Sequence, residues 1–274
     1  GYTIGSTTVN VTSQITGGTL GGALDFRSQV LDTARAALGR VAAGLAKTFN
    51  DQHLLGMDLN GAMGGSFFTA PTPAVAPAST NSGGSVSVAV TSASGLQASD
   101  YRLRYDGSNA YTLTRLSDGT TTAIATGGAS PYTTSAIDGF TLTITAGAAT
   151  GDTFLVKSVT GSAGGIGLAV SDPNKIAAAA PIRTASTLAN AGTGAISAGS
   201  VNTPPPPNAN LQQTVTIVFN TPPTTFNVSG TGTGNPTNVA YTSGGDISYN
   251  GWTLQITGSP AAGDTFTLQS NSGG

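Results

Sequence analysis

Leucine recurs at every seventh position through Leu24, Leu31, Leu38 and Leu45, and Ala34, Val41 and Phe49 complete the same apolar stripe. Arg27, Asp32, Arg35, Arg40 and Lys47 fall on the other faces, the signature of an amphipathic helix with heptad-like spacing. No proline interrupts the run. The pattern predicts one helix from about Ala23 to His53, roughly 45 Å long at about 1.5 Å per residue, with Gly56 as its stop. A large apolar side chain left in water forgoes roughly 1.5–3 kcal/mol of burial. Leu24, Leu31, Leu38, Val41, Leu45 and Phe49 are therefore the candidate residues for packing against a helix or another subunit.

Elsewhere the apolar period falls from seven to two. Residues 1–18 alternate weakly, as an extended arm does. Residues 71–84 are rich in proline, serine and glycine and read as a linker. From Ser85 onward short alternating runs are punctuated by Asp106-Gly107, Asp118-Gly119 and Asp138-Gly139, which reads as strand and turn in succession. A stretch rich in glycine, alanine and serine then runs to Pro204–Pro207, and alternation resumes with "QTVTIVF" and "TTFNVSG". The predicted class is α+β and mainly β, with one long amphipathic helix followed by two sandwich- or barrel-like modules. The expected boundaries are 1–70 for the arm and helix, 82–162 for the first module, 163–207 for a return segment and proline-rich spacer, and 208–274 for the second module.

One pattern is written twice. "GFTLTITAGAATGDTFLV" at 139–156 and "GWTLQITGSPAAGDTFTL" at 251–268 agree at 10 of 18 positions. In each copy leucine and isoleucine alternate with polar residues, and a Gly-Asp pair precedes the returning Phe154/Val156 or Phe266/Leu268. The segment reads as a duplicated hairpin, each copy introduced by its own turn pair, Asp138-Gly139 or Asn250-Gly251. A copied fold unit explains it better than a catalytic centre, which a chain normally holds once.

Composition narrows the function classes. Only 8% of the 274 residues are charged, against about 25% in an average domain, and all 12 acidic residues are aspartate. Net charge is −2 and the isoelectric point about 5.1, which leaves no electrostatic footprint for nucleic acid or an anionic membrane. No apolar run approaches the roughly 18 residues of a membrane span. Cysteine is absent, so disulfides and thiolate metal sites are excluded. The chain starts at Gly1 without methionine or a signal peptide, as an excised or expressed fragment would.

Candidate chemistry is sparse. Asp152 and Asp264 form a conceivable carboxylate pair, but each occupies the same turn position of its own repeat, and a turn role is favoured. His53, the single histidine, cannot build a multi-histidine metal site and fits a helix-terminal or packing role. Asp58 and Asn60 open like a calcium loop, but Ala62 and Thr69 stand where that loop needs ligands. The glycine-rich 161–167 offers no helix N-terminus to a phosphate. Asn10 and Asn227 match glycosylation sequons, frequent by chance in a chain rich in serine and threonine. Catalytic residues, cofactors and metals are accordingly expected to be none.

Residues 15–68 resemble the flagellar hook-associated protein 1 family, through Gly17–Gly22, Leu24–Arg27, Phe49-Asn50, Gln52-His53, Gly56, Asp58-Leu59 and Gly61. Residues 168–181, "LAVSDPNKIAAAAP", resemble the same family's return segment. The resemblance implies a secreted structural protein of the extracellular bacterial flagellum, exported by the type III route and joining hook to filament by subunit packing. It implies neighbouring copies in a ring, the hook protein and the next hook-associated protein as partners. Members carry heptad helices at both termini, so this sequence resembles the centre of such a protein. Two other classes compete. A surface adhesin or carbohydrate-binding β-protein would need an exposed aromatic platform near Tyr101, Tyr105, Tyr111 or Trp252, and an enzyme such as a glycosidase would need convergent acids that are not visible.

Overall fold

In a computed structural model of the chain, the described residues are 2–4, 7–9, 15, 17–232 and 234–272. The sequon at Asn10 lies outside them. The chain divides into two compact units, Gly1–Thr48 with Thr69–Gly167 and Phe49–Phe68 with Leu168–Gly274. Within the first eighteen residues, the strands Tyr2–Ile4 and Thr7–Val9 pair antiparallel.

The long helix starts earlier than its leucine stripe. It runs through α1 (Gly18–Phe26), a wide π-helical turn over Arg27–Leu31 and α2 (Asp32–Leu54). Its last turn tightens, with Leu55 N–H donating to the Gln52 carbonyl and Gly56 N–H to the His53 carbonyl, both at 3.2 Å. In the first unit the helix seats its small residues rather than its leucines. Ala36, Gly39, Ala43 and Ala46 recur at spacings of three and four and are buried, and Ala43 packs with Leu96 and Val159. A side chain at Gly39 would collide with the Val159 carbonyl, so glycine here sets the close approach of backbone to backbone.

The first unit adds an antiparallel β-sandwich. One sheet has the strand order Ala74–Pro77, Thr153–Lys157, Tyr101–Gly107, Ala110–Arg115, Thr121–Ala125, and the other Val86–Val90, Phe140–Ile144, Tyr132–Thr133. Tyr101, Leu103, Leu113, Phe154 and Val156 meet Phe140, Leu142 and Ile144 in one core. The alternation that marks these strands in sequence is the alternation of inward and outward side chains.

The second unit repeats this plan. Its five-stranded sheet runs Ile182–Ser186, Thr265–Ser270, Val215–Phe219, Thr225–Ser229, Val239–Ala240. Facing it, Trp252–Thr257 pairs with Asp246–Tyr249, Ala195–Ile196 and Ser200–Val201. Trp252, Leu254, Ile256, Phe266, Ile217 and Phe226 fill the core. In each sandwich the first strand, Ala74–Pro77 or Ile182–Ser186, lies beside the last, Thr153–Lys157 or Thr265–Ser270.

Three expectations change. The duplicated segment is not a hairpin. Phe140–Ile144 and Thr153–Lys157 share no ladder and belong to opposite sheets, as do Trp252–Thr257 and Thr265–Ser270. The linking stretches 145–152 and 258–264 exceed a tight turn and cross the roughly 10 Å between packed sheets. The stretch 163–207, expected as return segment and spacer, supplies the strands Ile182–Ser186, Ala195–Ile196 and Ser200–Val201, and the linker 71–84 supplies Ala74–Pro77. Their low hydrophobicity suits short edge strands. Finally, the turn joining Tyr101–Gly107 to Ala110–Arg115 sits on Ser108 and Asn109, at φ 52° and 62°, with Asp106-Gly107 at a bulge before it. The other three turn pairs hold, Asp118-Gly119 lying between Ala110–Arg115 and Thr121–Ala125 with Gly119 at φ 75°. Asp138-Gly139 has φ of 47° and 79°, and Asn250-Gly251 has 46° and 79°, the positive pair a type I′ turn requires.

Candidate assembly interface

Each predicted packing residue can be placed. Leu24 is half-buried, whereas Leu31, Leu38, Val41, Leu45 and Phe49 are exposed, Leu38 at 60% and Val41 at 62%. Leu20, Phe26 and Val30 on the same helix are exposed too. The stripe is therefore not the face on which the helix rests in its own unit; the small residues take that role. Scattered exposed leucines are ordinary, but bulky apolar residues running along one helix mark a surface that packs on something else. Of the charges between them Arg27, Arg35 and Arg40 are exposed and Asp32 and Lys47 half-buried, with Arg27 Nε 3.8 Å from an Asp32 oxygen, a weak pair in solvent.

The polar residues that follow the stripe form a joint inside the second unit. Asn50 Oδ1 accepts from the N–H groups of Phe67 at 2.9 Å and Phe68 at 2.8 Å, and its Nδ2 donates to the Phe68 carbonyl at 2.9 Å. Buried His53 takes Ala177 N–H on Nε2 at 2.8 Å, which leaves Nδ1 to donate to the Gly65 carbonyl at 2.7 Å. Both ring nitrogens are consumed in tying the helix end to the 56–68 loop and to the return segment. Phe67 packs on the His53 ring and with Phe49 and Phe68. Gly56 and Gly64 are required by proximity, since a side chain on either would strike the backbone of Ala177 or His53. Asp58 Oδ1 accepts from Asn60 and Ala62 N–H at 2.8 and 2.9 Å, bonds that hold its carboxyl below the ordinary range. Asp58 closes a turn here.

The two repeated aspartates behave alike. Asp152 accepts from Ala149 N–H at 2.9 Å and from Ser82 N–H at 3.0 Å. Asp264 accepts from the N–H groups of Ala261 at 2.8 Å, Ala191 at 2.8 Å and Gly192 at 3.1 Å. These backbone bonds, led by Ala149 and Ala261, lower both carboxyls. Beside each stands an asparagine that sequence reasoning missed. Asn81 bonds both the N–H and the carbonyl of Thr153, at 2.9 and 2.8 Å. Asn190 does the same to Thr265, at 2.8 and 3.0 Å. The available signal was Asn-x-Gly at 81–83 and 190–192, placed alike ahead of each Gly-Asp pair. Each aspartate is a clamp within its own unit, and its lone pairs are committed to backbone donors.

Tyr101, Tyr111 and Trp252 are buried at 1%, 4% and 0% exposure and Tyr105 is half-buried against the core of the first sandwich, so these four side chains form no exposed aromatic platform. The glycine-rich 161–167 holds one short helical turn, Ser162–Gly165. Among the described residues no three His or Asp side chains could together hold a metal. No helix among them is long and apolar enough to cross a membrane.

Comparison with known proteins agrees with this architecture. The family model for the helical domain of the flagellar hook-associated protein FlgK matches residues 1–68, and that for a D2-like domain of flagellar hook-associated protein 1 matches residues 76–158. The chain is 38% identical over 163 residues to flagellar hook-associated protein 1 of Escherichia coli strain K12, which is 59% of this chain and 29% of that protein. Against the Salmonella typhimurium protein of the same name, identity is 38% over 164 residues, with the same coverage. The chain thus spans under a third of the curated relatives it matches. The solved flagellar hook junction protein FlgK from Burkholderia pseudomallei superposes with a TM-score of 0.75 at 33% identity, covering 93% of this chain and 51% of that one. With both family models matched in order along more than half of its length, and a solved member superposing over 93% of it at 33% identity, the chain belongs to the FlgK family of flagellar hook-associated proteins.

Proposed function

We propose that this chain serves as a structural part of the bacterial flagellum, in the junction that links hook to filament, and that it works by subunit packing without catalysis. Its place is outside the cell, reached by export. Its partners are neighbouring copies of the same protein in a ring, the hook protein and the next hook-associated protein. The observation that supports this reading is the exposed apolar face of the long helix. Leu38, Val41 and Leu45 remain exposed within the chain, and heptad-spaced apolar residues suit helix-on-helix packing. Asp58, Asp152, Asp264 and His53, the candidates for chemistry, are bonded to backbone groups, which favours a scaffold.

The test is a triple substitution, Leu38→Asp/Val41→Asp/Leu45→Asp, in the full-length protein of a flagellated host. All three positions are exposed, so the isolated chain should keep its thermal midpoint and circular dichroism. The cells should carry hooks without filaments and should not swim. Normal filaments and swimming would show that this face packs on nothing in the flagellum.

A further inference from the structure

The second unit carries a cleft that its scaffold role does not explain. Its five-stranded sheet ends at Val239–Ala240 and its facing sheet at Asp246–Tyr249, and each of these strands has a neighbour on one side only. Between the two edges lies a cleft of about 420 Å³ lined by Val239, Tyr241, Thr242, Asp246, Ser248 and Tyr249 among others. That is the size of an ordinary small-molecule site. Both rings are set in advance. Tyr241 packs edge-on to Phe219 at 4.9 Å and donates its hydroxyl to the Gly258 carbonyl at 2.9 Å. Tyr249 packs on Trp252 at 5.8 Å. Asp246 is held through one oxygen, which accepts from Gln255 Nε2 at 2.8 Å, leaving the other available.

Charge sharpens the choice of ligand. Between residues 182 and 272 the charged side chains are Arg183, Asp246 and Asp264, and Asp264 is buried in its clamp. Asp246 is thus the exposed carboxylate of this sandwich, and it stands at the cleft beside the hydroxyls of Thr242 and Ser248. We propose that the cleft binds a neutral saccharide of about two rings, whose apolar ring faces lie on tyrosine and whose hydroxyls bond Asp246, Thr242 and the strand edges. An anionic polymer would meet Asp246 unfavourably. An added peptide strand would find only the two residues Val239–Ala240 to pair with on one side, too short a template. This inference stands apart from the hook–filament reading, and neither depends on the other.

The test is a titration of the intact 274-residue chain with maltose, lactose and N,N′-diacetylchitobiose, followed by heteronuclear NMR. At least one disaccharide should shift resonances confined to residues 239–249, with a Kd around 1 mM. Tyr249→Ala and Asp246→Asn should each weaken binding about tenfold or more while the rest of the spectrum is unchanged. Should Tyr249→Ala lose dispersion, Asp246→Asn, at an exposed position, decides alone. No shift with any of the three sugars up to about 50 mM, undiminished binding by Asp246→Asn, or tighter binding of lysine methyl ester or of a strand-forming peptide would each overturn the proposal.

Discussion

The two β-units share a plan but not a surface. Residues 74–157 carry Arg102, Arg104, Arg115 and Lys157 against Asp100, Asp106, Asp118, Asp138 and Asp152, whereas the sandwich of the second unit, 182–272, makes do with Arg183, Asp246 and Asp264. The contrast is sharpest at one turn position. Asp138 of the first unit accepts from Tyr101 Oη at 2.8 Å and from Arg115 Nη2 at 2.7 Å, and Arg115 reaches on to Asp118 at 2.8 Å. Its counterpart Asn250 donates a single 3.3 Å bond to the Gly230 carbonyl. Backbone dihedrals at the two turns are nearly the same. Strand order, core and clamp survive without the ion-pair network, so the network is an addition to the fold and not a condition of it. What both units keep is an asparagine, an aspartate and a type I′ turn.

The strongest way to break that comparison is to remove the shared asparagine. Asn81→Ala and Asn190→Ala each strip two partners from part-buried backbone groups, at about 1–3 kcal/mol per clamp. The losses, read by urea denaturation, should match within about 1 kcal/mol. Fluorescence of Trp252 follows the second unit, and amide exchange at Thr153 follows the first. A large cost in one unit and none in the other would mean that the clamp is structural in only one.

A smaller effect appears in acid. The folded-state values of Asp152 and Asp264 lie below the ordinary 3.8. Their stabilisation is therefore complete above about pH 4 and is lost as pH falls through the lowered values. Thermal midpoints should be flat from pH 7 to about 5 and should drop below about 4. The double variant Asp152→Asn/Asp264→Asn should show a shallower drop. Asp100, pushed up by burial, works in the opposite sense and blunts the fall. An acid limb that is unchanged in the double variant would assign acid sensitivity to other groups.

The smallest expected effect comes from writing the second unit's turn into the first. Asp138→Asn keeps the positive φ, which asparagine tolerates, and gives up a partly exposed ion pair, so it should cost about 1 kcal/mol or less. Much of that difference should vanish at 1 M salt, where screening reaches about 3 Å. Loss of several kcal/mol would show that the network holds the first unit together after all.

Legibility followed the range of each signal. The helix, the alternation of Phe140, Leu142 and Ile144, and the turn pairs at 138 and 250 depend on neighbours a few residues away, and all could be read. Local alternation cannot say which sheet a strand joins, so 139–156 looked like a hairpin although its strands sit in opposite layers. Ala195–Ile196 and Ser200–Val201 lay hidden because two-residue strands among glycine, alanine and serine carry almost no periodicity. On the helix, leucine size drew attention to the wrong face for intrachain contact. The faint 36, 39, 43, 46 spacing of alanine and glycine marks the surface that packs in the first unit. At the candidate interface the six stripe residues were legible as apolar, but the exposure of Leu38, Val41 and Leu45 follows from the opposite face being occupied by Ala36, Gly39, Ala43 and Ala46, which no local pattern reveals.

The adjacency of first and last strands has a mechanical corollary. Ala74 lies opposite Lys157, and Ile182 opposite Ser270, so the chain enters and leaves each sandwich side by side at one end of an antiparallel ladder. Each sandwich is then a side-loop on the thread, the arrangement that tolerates insertion and replacement with little disturbance of what carries it. Tension drawn between entry and exit would open that ladder rung by rung, as a zipper opens, and would never load all of its hydrogen bonds in shear at once.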